Sequence, residues 1–393
     1  MIKRQTGFTP LERSSYHLNG IRKHIARMWL KSQPNFQTGF TLIELLVAMV
    51  MFVFVIVAAS NVFTSLLTQF KQQSKIAETN VEGIIGLELL RVDIEHAGFG
   101  LPWVIPGTVI YAEVGVGNDG DVYNDSPGNP PRAILGGEGA GFNLSDELII
   151  KATNIARSDT AQRWTWLRVG NIKRIWLSDD FVGTDNVIVI SPGSTNANSR
   201  TLVVDSAVAT NWDTTYSATS NFAPGSMNNT NLIYGIDPDT PLLMPFNRAD
   251  YYISTANVPA RCAAGTGVLI KSVIEQGTGD RGGGLPLLDC VADMQVVYLL
   301  DTGAFAPASF TSALTAGQIR DQVRQVRVYI LAHEGQRDPD FTYDATNNPV
   351  TVGPPTGEGR PFDLTSDFTT PNPYWQDYRW KVYTLVQIPN NLE

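Results

Sequence analysis

Glu44 is the residue whose chemistry most needs explaining. In residues 40–59 it and Thr41 are the only polar side chains. Twenty residues at ~1.5 Å each reach the ~30 Å of a bilayer's hydrocarbon core, so the run reads as a transmembrane helix. A carboxylate inside such a helix costs on the order of 2–3 kcal/mol at mid-membrane, so Glu44 calls for a partner. A second concentration of oxygen donors is Asn118-Asp119-Gly120-Asp121-Val122-Tyr123-Asn124-Asp125. Asp119, Asp121 and Asp125 around a glycine resemble a calcium loop, but the bidentate glutamate that closes an EF-hand is missing, and a solvated turn is the plainer reading.

Other reactive residues are few. After residue 39 the histidines are His96 and His333, too few for a multi-histidine metal centre. His333 beside Glu334 reads as a strand-end pair without a catalytic role. There is no glycine-rich phosphate loop after a strand and no Gly-x-Ser-x-Gly elbow, so neither an enzyme nor a cofactor is expected. Trp164 and Trp166 alternate, and Trp375 and Trp380 lie near the C-terminus. Exposed, they could grip a surface or partner, but tryptophans of a β domain are more often core.

The 393 residues carry a net charge of -9, unevenly spread. Residues 1–39 hold seven lysines and arginines against Glu12, a net +6 that leaves -15 for the rest. A basic segment ahead of an apolar span keeps its own side in the cytoplasm and sends the acidic remainder across. An acidic exported part argues against nucleic acid as a partner. Cys262 and Cys290 both fall in that part, where an even pair favours a disulfide; two buried free thiols are the alternative.

Past residue 59 the helix is expected to continue. Val62, Phe63, Leu66, Leu67 and Phe70, then Ile84, Leu87, Leu90 and Ile94, recur at helical spacing. Gly98-Phe99-Gly100-Leu101-Pro102 is the stop, a glycine able to adopt the left-handed cap and a proline that cannot continue the helix. Gly83 and Gly86 read as soft points within it. Beyond residue 99, short β-branched runs separated by turn residues predict strands at 108–114, 147–153, 174–178, 187–190, 201–205, 232–236, 268–274, 294–300, 326–332 and 382–388. Residues 319–325 are ambiguous between a short helix and an extension of the next strand. Residues 191–231 read as long polar loops, and 334–373 as an excursion before a last strand. The fold class is therefore α+β, a long N-terminal transmembrane helix followed by a large antiparallel β-rich domain. Its divisions are a cytoplasmic leader at 1–39, a helix at 40–98 that is transmembrane over 40–60, and an exported domain at 99–393.

Gly39-Phe40-Thr41-Leu42-Ile43-Glu44 and the apolar run after it resemble the class III signal of type IV pilins and type II secretion pseudopilins. The resemblance implies cleavage between Gly39 and Phe40 by a prepilin peptidase and N-methylation of Phe40. It also implies that Glu44 neutralises the α-amino group of Phe40 on a neighbouring subunit and so sets register. The chain lacks the proline that major pilins carry midway along the apolar half, which fits a minor pilin or pseudopilin. Leu89 to Gly100, Ser145-Asp146-Glu147-Leu148, Cys290 to Val296, Val323 to Val328 and the closing Arg379 to Val386 with Asn390 are similar, in that order, to the PilW type. Gly7-Phe8-Thr9-Pro10-Leu11-Glu12 copies the signal, but no apolar run follows it. A start at Met28 would give a leader nearer the family's usual length. The implied role is a PilW-like minor pilin that primes type IV pilus assembly, with a J-type minor pseudopilin of type II secretion and a pilus-borne adhesin as alternatives. The implied partners are other minor and major pilins, the prepilin peptidase, an inner-membrane assembly platform and the inner membrane. The implied location is the inner membrane with the C-terminal domain in the periplasm, then the pilus on the cell surface.

Overall fold

The computed structural model describes residues 39–177, 180–192, 200–355 and 357–392. Most of the leader, with its basic residues, the Gly7 to Glu12 copy and Met28, lies outside the described residues. Contacts divide the chain into two compact units, Met1–Ser65 and Leu66–Glu393.

Helix α1 runs Leu42–Glu95. Throughout its first unit the side chains are exposed, and it is long and apolar enough to cross a membrane. At its far end Gly98 takes φ +83° and Gly100 φ +66°, the left-handed conformation expected of the stop signal. The Gly98 amide donates to the Lys151 carbonyl rather than to the helix, so the cap is also a seam with the sheet.

The second unit is an antiparallel β domain. Its strands are β1 (Ile134–Gly137), β2 (Glu147–Ala152), β3 (Trp164–Arg168), β4 (Ile172–Lys173), β5 (Asn186–Ser191), β6 (Thr201–Leu202), β7 (Asp213–Thr215) and β8 (Asn231–Asp237). They continue with β9 (Asn247–Ser254), β10 (Gly267–Val273), β11 (Leu285–Leu300), β12 (Phe305–Pro307), β13 (Val323–Glu334), β14 (Val350–Val352), β15 (Arg360–Phe362) and β16 (Arg379–Gln387). The main sheet has the order β1-β2-β9-β10-β11-β13-β16, with β12 on β11. The chain between β2 and β9 builds a second sheet, β4-β3-β8-β5-β6, with β7 on β5. β9, β10, β11 and β13 pair as successive antiparallel neighbours, with β12 lying in the connection from β11 to β13.

Alternation along the central strands assigns the two faces of the main sheet. Val326, Val328 and Ile330 of β13 join the large core that also holds Leu90 and Ile94 of α1. Tyr329 and Leu331, one residue out of phase, join a second core with Phe362, Leu364, Phe368, Trp375 and Trp380. Residues 334–373 therefore fold over the face that α1 does not cover. The second sheet has its own small core around Leu167, Val187, Val189, Phe222 and Ile233.

Several expectations are corrected. Residues 108–114 are not a strand, although Val109, Tyr111 and Val114 are buried; their amides find loop carbonyls, Tyr111 on Pro127 and Ala112 on Leu243, rather than a ladder. In 174–178 the strand lies earlier, at Ile172–Lys173, and Ser178 is outside the described residues. Strand β9 was not anticipated because Arg248 and Asp250 break its apolar pattern. Residues 319–325 divide. Helix α2 (Ala316–Gln322) opens with a capping box between Thr315 and Gln318, and β13 starts at Val323.

Candidate functional site

The α1 start is built by its own sequence. Thr41 donates its main-chain N–H and its hydroxyl to Glu44 Oε2, each at 2.9 Å, and the Glu44 amide donates to Thr41 Oγ1 at 3.3 Å. This is a capping box on Thr-x-x-Glu, a signal that the sequence itself carries. Within one chain, then, the Glu44 carboxylate is held by Thr41. Gly39 and Phe40 are exposed immediately ahead of the helix.

Further along, α1 is seated on the β domain by small residues. Its buried positions are Thr79, Gly83, Gly86, Leu90 and Ile94, one face at spacings of three and four. Gly83 and Gly86 are not soft points. A β-carbon at Gly83 would stand 2.9 Å from Leu288 Cδ1, and one at Gly86 would overlap the Leu287 carbonyl. Ile84, expected on the packed stripe, points away and is exposed, because the glycines on the other side allow the closer approach.

Charged groups fix that seat. Asp93 receives Lys271 Nζ at 2.7 Å and the Tyr251 hydroxyl at 2.5 Å. Burial pulls the Lys271 amine down and pushes the Tyr251 hydroxyl well up. Arg261 reaches both Glu82 of α1 and Asp289 of β11 at 2.7 Å. Asn390 closes the helix end, its amide donating to the Glu95 carbonyl and its Nδ2 to Glu95 Oε1.

The acidic loop at 118–125 is turned inward rather than arranged around a cation. Asp125 is buried and accepts from Lys151 Nζ at 2.6 Å and Arg132 Nε at 2.5 Å. Burial would raise its carboxyl, but Lys151 and Arg132 outweigh this and hold it below the usual range. Lys151 also pairs with Glu113 at 2.6 Å, and Arg248 joins Glu113 to Asp250. Asp121 accepts from the Gly117 amide, and Asp119 is exposed. The structure does not bring the three candidate calcium ligands into one pocket. Lys151 and Arg248 are fully buried, and neither could be picked out as core from its residue type.

Cys262 and Cys290 form a disulfide across 28 residues of chain. Beside it His333 is buried, its Nε2 accepting from the Ala263 amide at 2.9 Å, its ring packed on Tyr378 and Trp380. Burial pushes its imidazole down to about 3, so it stays neutral. The two sulfurs and a His333 nitrogen lie within 4.8 Å of one another, but bridged cysteines carry no thiolate to offer a metal. Asp146, in the Ser-Asp-Glu-Leu stretch, is buried and ties two elements, accepting from the Gly139 amide at 2.9 Å and the Val296 amide at 2.8 Å. Burial first, and then Glu138 and Asp293, push its carboxyl up to about 7. The tryptophans divide: Trp375 and Trp380 are core, Trp166 is half-buried and Trp164 is exposed.

Against known proteins, the family described as the prokaryotic N-terminal methylation motif matches residues 34–60. That match, on the start of a helix long and apolar enough to cross a membrane, fits an inner-membrane anchor. No curated protein matches the chain. Among solved structures it is similar to the type IV-like pilin TTHA1219 from Thermus thermophilus, at 14% identity over 37% of this chain and 66% of that one, with a TM-score of 0.23. The chain thus spans just under two thirds of that protein's length, and at this TM-score the likeness carries no argument.

Proposed function

We propose that this chain is a minor pilin, of the PilW kind, that takes part in priming and assembling a type IV pilus. The observation that carries the reading is the methylation motif at 34–60, which runs into an apolar helix whose side chains are exposed up to residue 65. A soluble helix buries such a surface; one that leaves it bare needs lipid or other helices around it.

In this reading prepilin peptidase cleaves between Gly39 and Phe40 and Phe40 is N-methylated. The apolar half of α1 then waits in the inner membrane with the β domain in the periplasm. On assembly the same apolar surface exchanges lipid for the helices of other minor and major pilins, and the protein reaches the cell surface in the filament. The role is structural, not enzymatic. Asp93, at the helix end of the stretch that resembles the PilW type, supports the assignment by giving that stretch a physical task, the anchoring of α1 through Lys271 and Tyr251.

The test is mass spectrometry of the N-terminal peptide from sheared surface filaments and from membranes. N-methylated Phe40 in the filaments is the expected result. Methylated Phe40 confined to membranes would favour a transient initiator or a secretion pseudopilin, and an uncleaved chain would overturn the reading altogether.

A further inference from the structure

The outer face of the second sheet carries an aromatic feature that the filament role does not use. In β3, Thr165 and Leu167 point inward and Trp164, Trp166 and Arg168 point outward. Trp164 and Trp166 are thus two residues apart on one face, about 7 Å along the strand. Trp176, following β4, meets Trp164 edge to face with ring centroids 5.6 Å apart. Together with Asp159, Gln162 and Arg163 these two rings line an open cavity of about 430 Å³.

The polar groups of this cavity are incompletely used by the protein. The Trp176 ring lines the cavity, while its Nε1 is buried from solvent without a hydrogen-bond partner. Gln162 spends its Nε2 on the carbonyls of Asn154 and Ala156, which fixes the side chain. Arg163 is only loosely paired, 3.7 Å from Asp185. The guanidinium of Arg174 stands over the Trp176 ring, 3.6 Å from its centre, and that of Arg168 over Trp166 at 4.6 Å. Trp164 remains 42% exposed.

We propose that this cavity binds a pyranose ring, as one residue of an oligosaccharide, with Trp164 as the stacking platform. The chemistry fits at each point. A sugar ring has an apolar C–H face that covers an indole, and a rim of hydroxyls that need both acceptors and donors. Asp159 supplies the first and Arg163 the second, in the mix of an apolar wall and a few fixed polar groups that small-ligand pockets share. The residues that line the cavity all belong to the second unit.

The test uses the full chain in a zwitterionic detergent without a sugar head group. Tryptophan fluorescence and calorimetry follow titration with a panel of soluble hexaoses built on glucose, N-acetylglucosamine, galactose and mannose. Expected are saturable binding of at least one hexaose, loss of affinity by ten-fold or more in Trp164→Ala, partial retention in Trp164→Phe, and weakening in Asp159→Asn. Trp380→Phe, a change in the core, should leave the affinity unaltered, and near-ultraviolet circular dichroism checks that each variant is folded. Failure of every hexaose to bind, or binding indifferent to a folded Trp164→Ala variant, overturns the proposal. Loss of Trp164→Ala from filaments without any saccharide binding overturns it too, in favour of a contact with another pilin.

Discussion

Gly86 of α1 meets the Leu287 main chain of β11 with no room for a side chain between them. Helix and strand are held closest at a residue that contributes no apolar side chain. The seat therefore depends on an absence, and its integrity is sensitive to a single methyl group.

Gly86→Ala is expected to unfold the seat despite alanine's higher helix propensity. The added carbon collides with main chain, which cannot rotate away, so a loss of about 1–3 kcal/mol or more is expected, against a propensity gain of about 1 kcal/mol. Urea unfolding in detergent should show a lower midpoint for Gly86→Ala and little change for Ile84→Ala, whose side chain is exposed.

Removing the Asp93 carboxylate should destabilise more than the loss of two neutral hydrogen bonds, because it takes charge from Lys271 and an acceptor from Tyr251. Asp93→Asn leaves Lys271 buried without that counter-charge, and breaking a buried pair on one side costs about 3–5 kcal/mol. Lys271 can shed its proton, since burial already draws its amine down, which places the expected loss at the lower end. The double variant Asp93→Leu with Lys271→Met should recover most of the stability, measured by the same unfolding curves.

Asp146 should impose a pH dependence of definite sign. An unfolded aspartate releases its proton near pH 4, whereas in the fold Asp146 keeps it up to about pH 7. Between those values the folded state holds the extra proton, so its stability falls as pH rises, by at most about 1.4 kcal/mol per pH unit. His333 acts oppositely between about pH 3 and 6.5, because the unfolded chain takes up the proton that the buried ring refuses. The clean measure is therefore the difference in stability between wild type and Asp146→Asn, expected to shift against wild type from pH 4 to 7 and to level off above.

Glu44 has two tasks that one substitution can separate. Glutamine preserves the capping bond with Thr41 but removes the charge. If Glu44 pairs with the Phe40 amine of a neighbour, Glu44→Gln inserts and is cleaved yet is depleted from sheared filaments as strongly as Glu44→Ala. Filament levels near wild type in Glu44→Gln would assign Glu44 to capping alone.

Much of the architecture was legible because it rests on local rules. The 40–59 run declares itself by length and polarity, Gly98 and Pro102 by the backbone angles they allow or forbid, and β10, β11, β13 and β16 by β-branched residues between turns. What could not be read was the interior chemistry. Arg248, Asp250 and Lys151 are of types that usually face solvent, yet they form a buried ionic network with Glu113 and Asp125. An oxygen-rich loop that resembles a calcium site instead supplies one acid, Asp125, to that network.

By itself, the sequence determined the methylation motif, the apolar span, the helix stop and the α+β class, since each follows from the character of neighbouring residues. Only the tertiary structure decided that Gly83 and Gly86 are contact points rather than flexible ones, that Asp93 reaches Lys271 and Tyr251, and that Trp164 stays outside while Trp375 and Trp380 are core. The physical reason is that burial and charge pairing are properties of segments brought together from far apart in the chain, and a residue's type does not record which segment will arrive opposite it.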